Sequence, residues 1–360
     1  MRQYHLLLKK ILGEGDVGYE PRTETVTIGL SAWSYTVDLR KGFPLLTTKT
    51  IVPRQPFEEL FWKLRGERNV KPLVDRKIHF WTANAFDRYL KNKKLSENIP
   101  KHSQVWNEEF EKYKKRIATD AEFAEEAGDL GPVYGYQWRH WEGRDGRVVD
   151  QLEKLLRGIK EKPGSRYHIL SSWNVAELED MALAPCPFWH QFTCCGKQMD
   201  LTMVQRSCDT YLGVPFNDAQ DALLLHMVAQ ETGYTQRFFH HHFNNVHIYL
   251  GVEPRSDFWK DSDNITDFQV KFRGIKKREG YLDLREWYLS RVSDESAGNE
   301  RKDHLPFVLE QLSKPYRKLP TLEFKGYFPL MKAIEIPPMD VVEVVGYNPH
   351  KWDAKATMAA

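Results

Sequence analysis

Cys186 stands between Pro185 and Pro187, and the two prolines fix the backbone on either side of the thiol and keep it out of any helix interior. A thiol held this way can be aimed at an electrophile. About twenty residues on, Gln205-Arg206-Ser207 closes an alternating run, Gln198 to Val204, that reads as a strand. A nearby guanidinium favours the thiolate, the form that attacks an electron-poor carbon, and it can equally bind an anion. Gly213 and Pro215 then break the chain before a helical stretch, Ala219 to Gln230, which puts Asn217 at the expected N-cap. The plainer readings are a buried structural cysteine, an arginine paired with a carboxylate and an asparagine that only caps a helix. Spacing alone leaves them open.

The elements that must position these groups are legible around them. Tyr4, Leu8, Ile11 and Leu12 have helical spacing, interrupted by Lys9 and Lys10, so the N-terminus reads as an amphipathic helix rather than a signal peptide. Thr25 to Ile28 and Trp33 to Leu39 read as two strands, with Arg22 in the polar loop before them. Phe57, Leu60, Phe61 and Leu64 mark one face of a helix over 57–65, and Glu59 neighbours that face. A partly buried carboxylate there can move protons; the plain alternative is a solvated helix residue. Residues 107–116 read as a charged helix, 151–160 as an amphipathic one, His168 to Ser172 as a strand, and Leu282 to Val292 as a helix.

Lys and Arg number 52 against 50 Asp and Glu, a net charge of +2, which argues against a general nucleic-acid binder but leaves room for a local basic phosphate pocket. The four cysteines, Cys186, Cys194, Cys195 and Cys208, form no Cys-x-x-Cys pair and have no zinc spacing. Adjacent Cys194 and Cys195 would point to opposite faces of a strand and make a poor disulfide. His240, His241 and His242 invite a metal reading, but alternation scatters them over two faces, so no metal is expected. No run approaches the roughly 20 apolar residues that span a bilayer. The expectation is a soluble, cytoplasmic protein.

Six segments carry a resemblance: Asp129-Leu-Gly-Pro-Val-Tyr-Gly135, Ser171-Ser-Trp-Asn174, Met181-Ala-Leu-Ala-Pro-Cys186, Gln205-Arg-Ser207, Leu212-Gly-Val-Pro-Phe-Asn217 and His247-Ile-Tyr249. In order and spacing they resemble the thymidylate synthase and pyrimidine hydroxymethylase superfamily, from Arg22 to the C-terminus. The resemblance implies an α+β fold: a single thymidylate synthase-like domain over 1–360, with a large mixed sheet packed by helices and one sheet face at a homodimer interface. The segments 85–127 and 253–310 would be insertions.

The resemblance also implies roles. Cys186 adds to pyrimidine carbon 6 of dUMP, which makes carbon 5 nucleophilic toward the one-carbon unit of methylene-tetrahydrofolate, the co-substrate. Arg206 serves the thiolate and the phosphate, Glu59 and Tyr134 manage water and protons, and Asp209 serves catalysis and folate. Gln205, Ser207, Arg22 and, across the dimer, Arg166 bind the nucleotide; Tyr167 stands where a second arginine is usual. His247 and Tyr249 hold the sugar hydroxyl. Trp81, Asn84, Gly213, Phe216 and the C-terminal Ala360 face the folate. Asn217 pairs with uracil, because its amide donates to one carbonyl and accepts from the ring N–H; cytosine-directed relatives tend to carry aspartate there.

Two departures bear on the product. Pro187 replaces the histidine that usually follows the nucleophile, and Asn84 replaces a second tryptophan, as in the dCMP hydroxymethylase of T-even phages. Polar Asn84 can admit a water that Glu59 activates. The expectation is therefore a phage-type dUMP hydroxymethylase giving 5-hydroxymethyl-dUMP, with thymidylate synthesis as the alternative and a non-catalytic nucleotide- or RNA-binding relative as the second. No membrane and no stable nucleic-acid partner are expected.

Overall fold

The computed structural model describes residues 1–101, 103–293, 302–351 and 356. Its centre is a mixed seven-stranded sheet. The strands are β1 (Asp16–Glu20), β2 (Thr25–Asp38), β3 (Ile169–Ser171), β4 (Pro187–Cys195), β5 (Gln198–Gln205), β6 (Cys208–Asp209) and β7 (Thr235–Tyr249). Their order is β1-β2-β7-β5-β4-β3, with β6 paired to β7. All pairs are antiparallel except β5 and β6 against β7. The two strands expected over 25–28 and 33–39 are one: β2 runs unbroken along β7 from Thr27 to Asp38. Its buried positions change parity between Ile28 and Tyr35, so one strand reads as two in sequence.

Alternation divides the sheet into two faces. Val37, Tyr35, Phe239, His241, Phe243, Leu201, Met203 and Phe192 point into the core. Ser34, His242, Val204 and Trp189 form a rung across four strands on the other face and stay partly or fully exposed.

Helices cover the inner face. α1 (Arg2–Glu14) buries Tyr4, Leu7, Leu8, Ile11 and Leu12. α2 (Arg54–Leu64) carries Glu59. α3 (Thr82–Asn92), α4 (Gln104–Thr119) and α5 (Ala121–Ala127) follow, so the segment over 85–127 is mostly helical, and α4 contains the charged helix expected over 107–116. These three close a second apolar cluster around Trp62, Trp81, Phe86, Trp106 and Tyr113. α6 (Tyr134–Arg139) and α7 (Gln151–Glu161) lead back to the sheet. α8 (Gly213–Thr232) links parallel β5 and β7 as a crossover and is buried on almost every side.

α8 begins six residues earlier than its periodicity shows, and its N-cap is Leu212. Asn217 therefore lies inside the first turns and caps nothing. Buried on all sides, the helix carries no amphipathic stripe to mark its start, and Pro215 is tolerated in the first turn because its missing N–H has no intrahelical partner there.

After β7 the chain leaves the sheet at Leu250 and returns at Asp303, which bridges Leu250. Between them lie α9 (Ser262–Gly274) and α10 (Gly280–Leu289), and α11 (Leu305–Ser313) follows. The return is anchored by a buried pair, Arg255 Nε to Asp303 Oδ2 at 2.7 Å, joined by the Tyr288 hydroxyl at 3.0 Å. Among the described residues no helix is long and apolar enough to cross a membrane.

Candidate active site

Cys186 immediately precedes β4 and Arg206 immediately follows β5. Antiparallel pairing of Pro187 with Gln205 brings the two together, and the Arg206 N–H donates to the Cys186 carbonyl at 3.0 Å. The Arg206 guanidinium donates to the carbonyls of Pro185 (2.9 Å) and Ala184 (2.7 Å), so it clasps the segment that carries the thiol. From the other side the Cys186 N–H donates to the Tyr134 hydroxyl at 2.8 Å. The thiol itself is half-buried, and all four cysteines are free.

Tyr134 reaches this position by two local compromises. Its backbone has φ 28°, in the left-handed region that non-glycine residues avoid. The next residue must be glycine, because a Cβ on Gly135 would fall 1.8 Å from the Lys63 carbonyl oxygen. That close approach seats α6 on α2. Burial pushes the Tyr134 phenol well above its usual range, and the charges of Cys186 and Glu59 add to this. Tyr134 therefore stays neutral and can relay a proton.

Glu59 is buried, and its carboxylate is enclosed by donors. Trp81 Nε1 lies 3.0 Å and Lys63 Nζ 3.1 Å from Oε1, while Gln220 Nε2 lies 2.7 Å from Oε2. The Trp81 ring packs against Trp62 and Tyr134, with centroids 6.2 and 5.4 Å away. Phe80 and Phe216 meet edge to face at 5.2 Å. Asn84 lies in the first turn of α3, partly exposed.

Asp209, in β6, pairs with His247 in β7. Burial opposes its ionisation, but His304, the Leu212 N–H and the His247 charge together hold its carboxyl below the usual range. Its Oδ1 accepts the N–H groups of Tyr211 (3.0 Å) and Leu212 (3.1 Å), with His304 Nδ1 at 3.7 Å. His247 and Tyr249 lie on one side of β7, ring centroids 4.9 Å apart, as the strand reading requires. Burial lowers the His247 basicity and raises the Tyr249 phenol. The charges of Asp209, Arg22, Glu20 and Cys186 all act on the Tyr249 phenol, Arg22 from the exposed turn between β1 and β2. Lys49 is buried nearby against the Tyr211 ring at 3.8 Å, and burial pushes its ammonium down to about 7.

Asp218, next to Asn217, is fully buried: it accepts the Tyr35 hydroxyl at 2.5 Å and pairs with His241 at 2.9 Å. His241 continues to Gln205 at 3.1 Å, and the Gln205 amide donates to the Ser207 carbonyl at 3.0 Å. The histidine run is thereby divided. His241 faces the core, His240 meets Thr36 at 2.8 Å, and His242 is exposed. Among the described residues no group of three His, Cys, Asp or Glu side chains could hold a metal ion.

Not every expected residue joins the cluster. Arg166 and Tyr167 lie on an exposed stretch before β3, Tyr167 89% exposed. Ala360 lies outside the described residues. The sequence reading also missed three residues. Lys63 sits one helical turn from Glu59, a spacing that could have flagged it. Gln220 and His304 carry no local signal, since each reaches its partner only through tertiary packing.

The half-buried thiol, the clasping guanidinium, the neutral phenol and the donor-ringed carboxylate are the group types that nucleophilic and proton-transfer chemistry uses. The thymidylate synthase family profile matches residues 2–360. The thymidylate synthase of Mesoplasma florum is 41% identical over 251 residues, 69% of this chain and 82% of that protein. That of Mycoplasma genitalium is 41% identical over 249 residues, 69% and 81%. That of Listeria monocytogenes is 37% identical over 260 residues, 69% and 82%. With a match along essentially its whole length, the chain belongs to the thymidylate synthase family.

Proposed function

We propose that this chain transfers a one-carbon unit from methylene-tetrahydrofolate to carbon 5 of dUMP through a covalent adduct of Cys186, and completes it by reductive methylation to dTMP. The observation that carries the reading is the placement of Cys186, gripped from both sides by Arg206 and Tyr134. The relatives named thymidylate synthase favour reduction over the hydroxymethylation expected from Asn84 and Pro187.

The residues fit both ligands. Asn217, at the open end of α8, offers an amide to the uracil edge, while the core bonds of Asp218 keep its carboxylate out of the pocket. His247 and Tyr249 can bind the sugar, and Gln205, Ser207, Arg22 and Arg206 the phosphate end. The aromatic pair Phe80–Phe216, with Trp81, offers a wall to a pterin, and ionised Asp209 beside Gly213 an acceptor for its N–H groups. The folate supplies the carbon and, in the reductive branch, the hydride. Cys186 adds to carbon 6, Glu59 and Tyr134 handle the proton lost from carbon 5, and elimination of Cys186 frees the product.

A homodimer is part of this reading, supported by the uncovered sheet face with its rung Ser34–His242–Val204–Trp189 and by the exposed position of Arg166, from which a nucleotide role would be played across such an interface.

Hydroxymethylation is the second reading, favoured by Asn84 beside Trp81, a polar side chain able to orient water at the one-carbon unit. Mass spectrometry of a reaction with dUMP and methylene-tetrahydrofolate separates the two. Thymidylate with stoichiometric dihydrofolate supports the first reading; 5-hydroxymethyl-dUMP without dihydrofolate supports the second. Cys186→Ser should abolish either, and a chain that forms no adduct with 5-fluoro-dUMP and folate is a binding relative, not an enzyme.

A further inference from the structure

Glu59, Lys63 and Gln220 form a closed ring of side chains beside Tyr134. Lys63 Nζ donates to Glu59 Oε1 at 3.1 Å and to Gln220 Oε1 at 2.9 Å, and Gln220 Nε2 returns to Glu59 Oε2 at 2.7 Å. The amide of Gln220 can point only one way in this ring, since the opposite orientation would set its NH₂ against an ammonium and its oxygen against a carboxylate. Lys63 is 4% and Gln220 3% exposed, so neither is a surface pair weakened by water. The ammonium also lies 4.6 Å above the Tyr134 ring, and the Tyr134 hydroxyl receives the Cys186 N–H. The ring thus touches both the candidate proton-handling carboxylate and the phenol that holds the nucleophile segment.

We propose that Lys63 and Gln220 are positioning residues that fix Glu59 in one rotamer and select its carboxylate form for proton transfer. Every partner of Glu59 in the cluster, Trp81 included, is a donor, and the single acceptor, Gln220 Oε1, is already occupied by Lys63. A protonated Glu59 would place its own O–H against another donor. The carboxylate form accepts from all three donors. Each component is required: the cation supplies the charge, and the amide fixes the direction in which the carboxylate faces.

Other charged groups around Glu59 leave this role to Lys63. Asp221, on the same helix as Gln220, is spent on His190 of β4 at 2.9 Å. Glu58, on the same helix as Glu59, turns to Arg76 at 2.9 Å, and Asp340, on the short Pro338–Val341 helix that packs against α2, is exposed. Tyr134 is neutral, and Arg206 is engaged with the carbonyls of Ala184 and Pro185.

The inference rests on the proton-handling role of Glu59 proposed above, and the test separates the two. Lys63→Met keeps the stem and removes the charge. Its kcat at neutral pH should fall by about tenfold or more with KM for dUMP changed by no more than about twofold, and the acid limb of the kcat profile should move to higher pH. Lys63→Arg, which keeps a cation, should restore most of the rate and the original acid limb. Adduct formation between Cys186 and 5-fluoro-dUMP certifies that each variant is folded. If Lys63→Met does not fold, Gln220→Leu is read in the same way, with a loss in kcat and a shifted acid limb expected. An unshifted profile in a folded variant, or a loss shared equally by Lys63→Met and Lys63→Arg, overturns the inference while adduct formation by the unmodified chain leaves the proposed function standing. Failure of the unmodified chain to form the adduct overturns both.

Discussion

Asn217 and Asp218 are neighbours on one helix, the first partly exposed and the second fully buried, and that division bears on base selection. Asp218 is closed into the core by Tyr35 and His241. Asn217 is partly exposed on the turn of helix that opens toward Asp209 and Gly213. An amide matches the uracil edge, with its carbonyl acceptor and ring N–H donor; a carboxylate matches the exocyclic amine of cytosine. Asn217→Asp should therefore lower the ratio of kcat/KM for dUMP over dCMP by at least about tenfold, since a site left with a mismatched polar group discriminates strongly. An unchanged ratio would mean that Asn217 does not touch the base.

Among the elements, the β4–β5 hairpin shows how sequence proximity becomes chemistry. Its two-residue turn, with Gly196 at φ 62°, pairs Cys195 with Gln198 and Trp189 with Val204, and a bulge between Trp189 and Pro187 then sets Pro187 against Gln205, so the thiol before one strand meets the guanidinium after the other. α8 supplies the partly exposed Asn217 and the buried Gln220 and buries most of its length, His226 included. Burial lowers the His226 basicity to about 4 from 6.5, although its hydrogen bond to the Ala222 carbonyl opposes the shift. Between these values the unfolded chain binds a proton that the folded chain refuses, so stability falls as pH drops through that window. His226→Met removes the penalty. Thermal melts should show a shallower acid dependence in the variant, by roughly 1–3 kcal/mol at pH ~4.5, with little change above pH ~7.

At the scale of the whole molecule, residues 251–302 leave and rejoin the sheet at one point, closed by the Arg255–Asp303–Tyr288 cluster. The next residue, His304, lies against Asp209 and Tyr249, so the fold of this segment is tied to the site. Asp303→Ala leaves Arg255 buried without its carboxylate and should cost about 3–5 kcal/mol in a denaturant titration, as removal of one partner of a buried pair does. A loss below about 1 kcal/mol would mean that water reaches the pair. The proposed dimer is tested by mixing inactive subunits. Cys186→Ser and Arg166→Ala chains together should regain activity at the site that combines an intact thiol with the partner's intact arginine; no recovery would place a complete phosphate site within each subunit.

What the sequence by itself determined was the order of motifs and most of the elements. Cys186, Arg206 and Asn217 lie within a short span, and local strand and helix patterns suffice to bring such residues together. His247 and Tyr249 share a face because a strand has a period of two. Tertiary structure decided the rest. The start of α8 was invisible because a helix buried on all sides has no polar stripe to mark it, and β2 was read as two strands because its buried parity changes midway. Gln220 and His304 were found only in the fold, since they lie about 160 and 95 residues from Glu59 and Asp209, and a sequence pattern of period two or 3.6 carries no information at that separation. The surroundings of Glu59 were decided in the same way: a carboxylate beside an apolar helix face is an open question in sequence, and in the fold three buried donors, from α2, α8 and the residue before α3, enclose it.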